Sequence, residues 1–137
     1  MKQAVDLRIS SRFDGQEMIQ RMEGELYLKA DTVYIRYIEP DPDMGQTSTT
    51  LKLKAGNFKI IRHGDVQSEQ EFILHRQALG FYFTPQGNMD LVTYTREMEF
   101  ELEQGIGHVA WSYDLLVGGA ESGSFSLHLD IQPRAES

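Results

Sequence analysis

The stretch MEFELEQGIGHVAWSYDLLVGGAESGSFSLHLDI, which runs from Met98 to Ile131, decides the fold class. From Met98 to Leu102 every second residue is apolar, and the residues between them are glutamates. Successive side chains of a strand point to opposite faces, so this segment predicts a half-buried strand with an acidic outer row. The alternation returns in Val109–Val117 and in Phe125–Ile131. The stretch therefore predicts a three-stranded antiparallel meander with one apolar face.

Two loops set the expected register of this meander. A two-residue turn at Gly105-Ile106 places Phe100 opposite Trp111 on the apolar face. We expect a five-residue loop at Gly118–Ser122, because a two-residue turn at its two glycines would move the following apolar residues to the outer face. With these loops, all three strands contribute their apolar residues to the same side.

The rest of the chain shows the same alternation. Asp14-Gly15 and Ala55-Gly56 separate alternating segments and predict hairpin turns, since tight turns favour residues that tolerate positive φ. Glu39–Gly45 contains two prolines and predicts a loop, whereas in Val66–His75 a short helix is an alternative to a strand. We count roughly nine to eleven strands of about 5–10 residues. Such hairpins must close or pack in layers, so we predict an all-β protein with little helix, an antiparallel up-and-down barrel being favoured over a β-sandwich.

Length and composition narrow the function classes. The 137 residues suit one domain, spanning residues 1–137. A formal net charge of -8 argues against nucleic acid and anionic membranes as partners, because binding to phosphates needs a basic surface. The absence of cysteine excludes disulfides and thiolate chemistry. The N-terminal residues lack the apolar core of a signal peptide, and no apolar run could span a membrane, so we expect a cytoplasmic location.

No motif for catalysis, metal binding or cofactor binding stands out, and we expect a protein that is not an enzyme and has no cofactor. Ser112, Asp114 and His128 are expected close together on the outer face, but a convex strand face supplies no oxyanion hole. The four histidines have neither the helical i, i+4 spacing nor the His-x-His strand spacing of a compact metal site. Asp41 and Asp43 lack the later ligands of a calcium loop.

Several short segments carry a resemblance to a known family. They are Ile61-Arg62-His63-Gly64, Tyr82 to Met89 (YFTPQGNM), Tyr113-Asp114-Leu115, Gly118-Gly119 and Gly123. With this spacing, the chain resembles the YwiB-like family of Bacillota, a family of unknown function, over nearly its whole length. That family is similar to the calycins, which include lipocalins and fatty-acid-binding proteins. The resemblance implies a calycin-like barrel of about eight strands, some segments being halves of one long bent strand. It implies no ligand, reaction or catalytic residue.

The barrel interior is the candidate site. Arg62 shares the inward parity of its strand, and a buried charge needs a partner. That partner is an anionic ligand, an internal carboxylate or hydroxyl, or solvent if Arg62 lies at the rim. The first hypothesis is a carrier or sensor of a small amphipathic or anionic ligand, held by Arg62 and lined by Tyr37, Trp111 and Tyr113. The alternative is a protein–protein interaction module or homodimer with a fully packed interior, and packing is favoured over a cavity.

Overall fold

The computed structural model describes residues 2–134, which form ten antiparallel strands and a 3-10 turn at Pro42–Met44. Consecutive strands pair with each other and the first pairs with the last, so the sheet closes into a barrel. The predicted all-β antiparallel barrel with little helix is confirmed. Within the described residues, no helix has the length and apolar character needed to cross a bilayer. The strands are β1 (Lys2–Phe13), β2 (Gln16–Lys29), β3 (Thr32–Ile38), β4 (Thr47–Lys54), β5 (Asn57–Gly64), β6 (Gln67–Ile73), β7 (Gln77–Thr84), β8 (Gly87–Glu103), β9 (Ile106–Val117) and β10 (Ala120–Pro133).

The expectation of about eight strands is wrong, because the described residues form ten. That expectation required some segments to be halves of one long bent strand. Instead, each connection reverses the chain completely and begins a new strand. The predicted turns at Asp14-Gly15 and Ala55-Gly56 are confirmed as two-residue hairpin connections. The segment for which a short helix was an alternative contains the extended strand β6.

The interior of the barrel differs between its two ends. We define the upper end as the one that carries the β1–β2 turn, the loop 39–46 and the turns after β5, β7 and β9. Apolar side chains fill the lower part of the interior, among them Leu26, Val33, Leu53, Phe58, Phe72, Val109, Trp111 and Ile131. Polar side chains join the inward-facing positions nearer the upper end, namely Tyr37, Thr49, Arg62, Ser68 and Gln70. The polar layer is therefore where an interior site can lie.

The β1–β2 hairpin has the register that the Asp14-Gly15 turn predicts, with Leu7 opposite Met22 on the inner face. The same register opposes Arg8 to Arg21 on the outer face, a like-charge pair that is unfavourable by itself. The ladder runs through this pair without a bulge. Arg8 is compensated from the other side, since its Nη1 lies 3.6 Å from Oδ2 of Asp130 on β10.

The predicted turn between β8 and β9 is wrong by one residue. The turn residues are Gln104 and Gly105, with φ of 52° and 84°, and not Gly105-Ile106. Two positive φ angles are what a type I′ turn requires. Phe100 therefore lies opposite Val109 instead of Trp111. The pairing shifts by two positions, so every side chain keeps its predicted face.

The expected five-residue loop between β9 and β10 is also wrong. The chain turns at Gly118-Gly119 and pairs Ala120 with Val117. A bulge between Glu121 and Gly123 then adds one residue to β10. This extra residue restores the parity that the short turn alone would reverse, and the apolar residues of β10 face inward as predicted.

Candidate functional site

Arg62 lies in the polar layer and is bound by groups of the protein itself. Its Nε donates to Oε2 of Glu39 at 3.3 Å, and its Nη1 donates to the hydroxyl of Ser68 at 3.3 Å. The side chain of Glu39 is 6% exposed and that of Arg62 is 18% exposed. A buried charge is costly unless it is paired and hydrogen-bonded. Of the partners considered for Arg62, the protein thus supplies both an internal carboxylate and a hydroxyl.

Glu39 reaches Arg62 because the chain keeps the inward parity of β3 beyond the end of the strand. Tyr37 is the last inward-facing residue of β3, and Glu39 follows two positions later. The backbone N–H of Glu39 donates to the carbonyl of Thr47 at 2.9 Å, which holds this position against β4. The hydroxyl of Thr49 donates to Oε2 of Glu39. The carboxylate thus accepts hydrogen bonds from Thr49 and Arg62, and the backbone bond holds the residue in place, before any ligand is considered.

Two tyrosines adjoin this ion pair. Burial raises the pKa of Tyr37 well above its usual range, and the negative charge of Glu39 adds to the effect. Burial raises the pKa of Tyr113 to about 12, against the opposing effects of the Arg62 charge and a hydrogen bond with Gln70. Both hydroxyls therefore stay protonated near neutral pH. The hydrogen bond of Tyr37 with Glu39 raises the pKa of Tyr37, whereas that of Tyr113 with Gln70 lowers the pKa of Tyr113, so Tyr113 is the better candidate donor to a ligand.

Trp111 lies in the apolar part of the interior. Its ring packs against Phe58 at a centroid distance of 4.5 Å and against Phe72 at 5.9 Å. The indole Nε1 is buried and has no hydrogen-bond partner among residues 2–134, and the same holds for the hydroxyl of Thr95. Trp111 is thus a core residue that carries one unpaired donor.

The structure separates the four predicted site residues. Arg62, Tyr37 and Tyr113 belong to one polar cluster, since the charge of Arg62 acts on both tyrosines. Trp111 belongs to the aromatic packing of the core. Tyr113 also contributes to an open pocket at the upper end of the barrel. It is therefore the predicted residue that joins the polar cluster to the surface.

We call this open pocket, with a volume of about 410 Å³, the mouth pocket. Its lining consists of Ser11, Phe13, Gln16, Glu17, Met18, Tyr113, Phe125 and Leu127. Phe13 and Met18 have inward parity on β1 and β2, but they are 41% and 63% exposed. Apolar side chains that face a concave opening and remain exposed to solvent are typical of binding grooves.

Aromatic packing connects the mouth pocket with the interior. The ring of Phe13 stacks on Phe125 at 4.5 Å, Phe125 stacks on Tyr113 at 5.4 Å, and Tyr113 packs on Phe72 at 4.7 Å. Gly123 makes room for the outermost ring, because a Cβ at this position would lie 2.5 Å from Cε1 of Phe13. One wall of the pocket is thus held in place by a continuous series of rings.

Sequence reasoning missed both Glu39 and the mouth residues. The prolines place Glu39 in a loop, although it continues the inward alternation of Tyr37, and that parity is the signal that identifies it. Phe13 and Met18 lie beside the Asp14-Gly15 turn, where solvent is expected. Large apolar residues so close to a tight turn are the signal for the mouth pocket.

The predicted proximity of Ser112, Asp114 and His128 is wrong. The hydroxyls of Ser112 and Ser126 lie 3.0 Å apart, and His128 is opposite Ala110. The two-residue turn and the bulge cause this difference, because they displace β10 by two positions along β9 relative to the prediction. No support for a hydrolytic triad comes from this outer face.

Residues 5–129 match a domain family described as a domain of unknown function, DUF1934. The chain belongs to this family. It is 31% identical to the uncharacterized beta-barrel protein YwiB of Bacillus subtilis (strain 168) over 104 residues, which are 75% of this chain and 72% of YwiB. The crystal structure of the ywiB protein from Bacillus subtilis has a TM-score of 0.79 to this DUF1934 barrel, with 98% of this chain and 94% of that chain covered at 21% identity. The predicted resemblance to the YwiB-like family is confirmed, and the family assigns no function.

Proposed function

We propose that this barrel binds a small amphipathic molecule at its mouth pocket, as a carrier or sensor. The observation that carries the proposal is a concave site in which inward-facing apolar side chains meet solvent. The volume of about 410 Å³ falls within the roughly 300–1,000 Å³ that is usual for small-molecule sites. A pocket at the mouth also agrees with a barrel whose lower interior is filled by side chains.

The two parts of the ligand would contact different groups. Its apolar part would lie against Phe13, Met18 and Phe125, which form the apolar wall of the mouth pocket. Its polar end would point toward Tyr113, whose hydroxyl is protonated and lies within the field of the Arg62 cation. A donor supported by a positive charge favours an acceptor or an anion. We therefore expect a carboxylate or a similar acceptor on the ligand.

The other predicted residues would support this site from within. Arg62 is paired with Glu39 and Ser68 and does not line the mouth pocket, so it acts on the ligand through Tyr113 and not by direct contact. Tyr37 and Trp111 are as buried as Tyr113, but they do not line the mouth pocket, so they support the interior against which Tyr113 packs. The proposal thus keeps the predicted residues but gives direct contact to Tyr113 and the mouth residues.

Titration calorimetry with decanoate, decanol and decyltrimethylammonium tests the proposal. These probes share one chain length and differ in the charge of the polar end. We expect decanoate to bind best, and Met18→Ser to weaken the binding of decanoate and decanol alike. Leu79→Ser is the matched control, because it removes an apolar side chain that is 82% exposed on the outer face of β7. Equal binding by both variants, or none by the native protein, would overturn the proposal.

Tyr113→Phe tests the polar end separately. The ring and its packing on Phe125 remain, but the hydroxyl is lost. We expect the preference for decanoate over decanol to fall while decanol affinity stays the same. An unchanged preference would show that the polar end lies elsewhere and would remove Tyr113 from the proposal.

A second candidate function is self-association, and the outer face of β7 is the observation that favours it. Leu79, Phe81 and Phe83 all face outward, and the last two rings pack at 4.6 Å. Size-exclusion chromatography with light scattering tests this hypothesis, since a homodimer through this face dissociates when Leu79 and Phe83 become serine. A monomer at high concentration counts against it.

The remaining expectations stay predictions. They are the calycin likeness, the single domain over residues 1–137, the cytoplasmic location, and the lack of enzymatic activity, cofactors, nucleic-acid partners and membrane partners. The net charge of -8 supports the prediction that nucleic acid and anionic membranes are not partners.

A further inference from the structure

A row of ionisable side chains crosses the outer face of the barrel from β8 to β2. The strand registers place these residues directly opposite one another, and the row consists of Glu101, His108, Asp130, Arg8 and Arg21. His128 stands two residues before Asp130 on β10 and points to the same face. The cross-strand pairing thus gathers two imidazoles and several carboxylates that lie far apart in the sequence.

The two histidines lie side by side. Their ring centroids are 5.0 Å apart and the rings are 18° from parallel. Ala110 occupies the position opposite His128 on β9, so a small methyl group leaves space for the His128 ring beside that of His108. Nε2 of His128 lies 3.2 Å from Oδ1 of Asp130. Two imidazole rings and one carboxylate therefore converge at one point of the surface.

The distances suit a small metal ion. The ligand atoms of His108, His128 and Asp130 all lie within 4.8 Å of one another. Ligand atoms of a tetrahedral zinc site, with bonds of about 2.0–2.2 Å, are roughly 3.3–3.6 Å apart. The three side chains are 31%, 43% and 32% exposed, so they have room to rotate by the small amount that closes the site.

The charges around the histidines favour a cation. Nε2 of His108 lies 3.6 Å from Oε2 of Glu101 and 3.7 Å from Oε1 of Glu99. With Asp130, these residues contribute three negative charges, and Arg8 contributes one positive charge beside Oδ2 of Asp130. The contact with Arg8 involves Oδ2 and leaves Oδ1 beside the imidazole of His128. The surplus of negative charge matches a divalent ion.

We propose that His108, His128 and Asp130 bind a divalent transition-metal ion of the Zn²⁺ class on the outer wall of the barrel, with Glu99 and Glu101 adding negative charge beside His108. Two imidazoles with carboxylates suit Zn²⁺, Ni²⁺ or Cu²⁺, whereas Mg²⁺ and Ca²⁺ prefer oxygen ligands alone. The ion would tie β9 and β10 together. Its ligands are outer-face residues outside the mouth pocket, so the two proposals succeed or fail independently.

Titration of the tag-free protein with Zn²⁺, followed by calorimetry and by native mass spectrometry, tests this site. We expect one bound Zn²⁺ ion and a higher melting temperature in its presence, because an ion that binds the folded state stabilises it. The double variant His108→Gln, His128→Gln should lose affinity by about tenfold or more. The double variant His63→Gln, His75→Gln removes the same number of histidines, both exposed and outside the cluster, and should bind as the native protein does.

The carboxylates provide a second matched pair of variants. Asp130→Asn removes a proposed ligand and should weaken Zn²⁺ binding, whereas Glu97→Gln removes an exposed acid outside the cluster and should not. Mg²⁺ should produce no shift in melting temperature. Equal Zn²⁺ binding by both histidine double variants, or absence of binding by the native protein, would refute the proposal, as would an equal response to Mg²⁺.

Discussion

Replacing Arg62 by methionine is the most informative perturbation of the interior. Methionine keeps an unbranched apolar stem but removes the guanidinium, so Glu39 loses its cation while remaining 6% exposed. Thr49 still donates to the carboxylate, but one neutral donor does not replace a charge. We expect Arg62→Met to fold and to be clearly less stable than the native protein.

The magnitude follows from the geometry. At 3.3 Å between Arg62 Nε and Glu39 Oε2, an effective dielectric constant of about 20 gives an attraction of about 5 kcal/mol. Desolvation of both groups offsets much of that attraction, and removal of one partner of a buried pair commonly costs about 3–5 kcal/mol. Because Arg62 is 18% exposed, we place the loss at the lower end, near 3 kcal/mol for Arg62→Met. Glu39→Gln should cost about 1–2 kcal/mol, since the remaining guanidinium can reach solvent.

Urea unfolding of the two single variants and the double variant measures the coupling between Arg62 and Glu39. We expect a coupling free energy of about 2 kcal/mol. Lys54 and Asp31 form the matched control pair, because they lie 3.7 Å apart but are 56% and 71% exposed. Their coupling should stay below about 0.5 kcal/mol. A coupling for the interior pair as small as that of the control would refute the reasoning.

Further predictions concern the tyrosines, the mouth and the bulge. The pKa of Tyr113 is about 12 in the folded chain against 10.0 for the free side chain, so its contribution is complete below about pH 10 and is lost as the pH rises toward 12. Between about pH 9 and pH 11, the free energy of unfolding should therefore fall by about 1 kcal/mol less in Tyr113→Phe than in the native protein. Urea unfolding at the two pH values measures this difference. Gly123→Ala should displace the ring of Phe13 and weaken decanol binding, because Gly123 has a φ of 127° and no room for a Cβ; unchanged binding contradicts this. Deletion of Ser122 removes the bulge residue of β10, so cooperative thermal unfolding should disappear, and a native melting temperature would contradict the parity argument.

The faces of most strands could be predicted from the sequence, but the pairing positions in the meander could not. Period-two alternation says which residues face inward, and a shift of two positions leaves that answer unchanged. Gln104-Gly105 and Gly105-Ile106 are therefore equally compatible with the alternation. The positive φ angles at Gln104 and Gly105 distinguish the two turns. The alternation of apolar residues does not predict these backbone angles.

Strand β7 shows where alternation alone misleads. Leu79, Phe81 and Phe83 alternate as regularly as any core segment, yet they face outward. The inner face of β7 passes close to β6, and a Cβ on Gly80 would lie 2.3 Å from the carbonyl oxygen of Glu69. The glycine permits that approach, and a contact between two strands cannot be predicted from the alternation of one strand alone.

The candidate site could be predicted only in part for a related reason. The inward parity of Arg62 indicates a buried cation that requires a partner, and this expectation agrees with the Arg62–Glu39 pair. The identity of the partner depends on how the loop 39–46 folds over the upper end. The cluster of His108 and His128 is hidden in the same way, because the two residues meet only through the β9–β10 register.

The pairing of the buried charge separates the groups that hold the barrel from those that can bind something else. Arg62 already has Glu39 and Ser68, so its removal should cost stability and leave decanol affinity unchanged, with an effect only on the preference for decanoate. Met18 is 63% exposed, so its replacement by serine should do the opposite: little change in stability and weaker binding of both probes. Loss of stability without loss of decanol affinity would thus assign a structural role to Arg62, and the reverse result would assign a binding role to Met18. If both changed stability and affinity in parallel, the interior ion pair and the mouth pocket would have to be one cooperative unit, and the separation of structural from binding groups would be wrong.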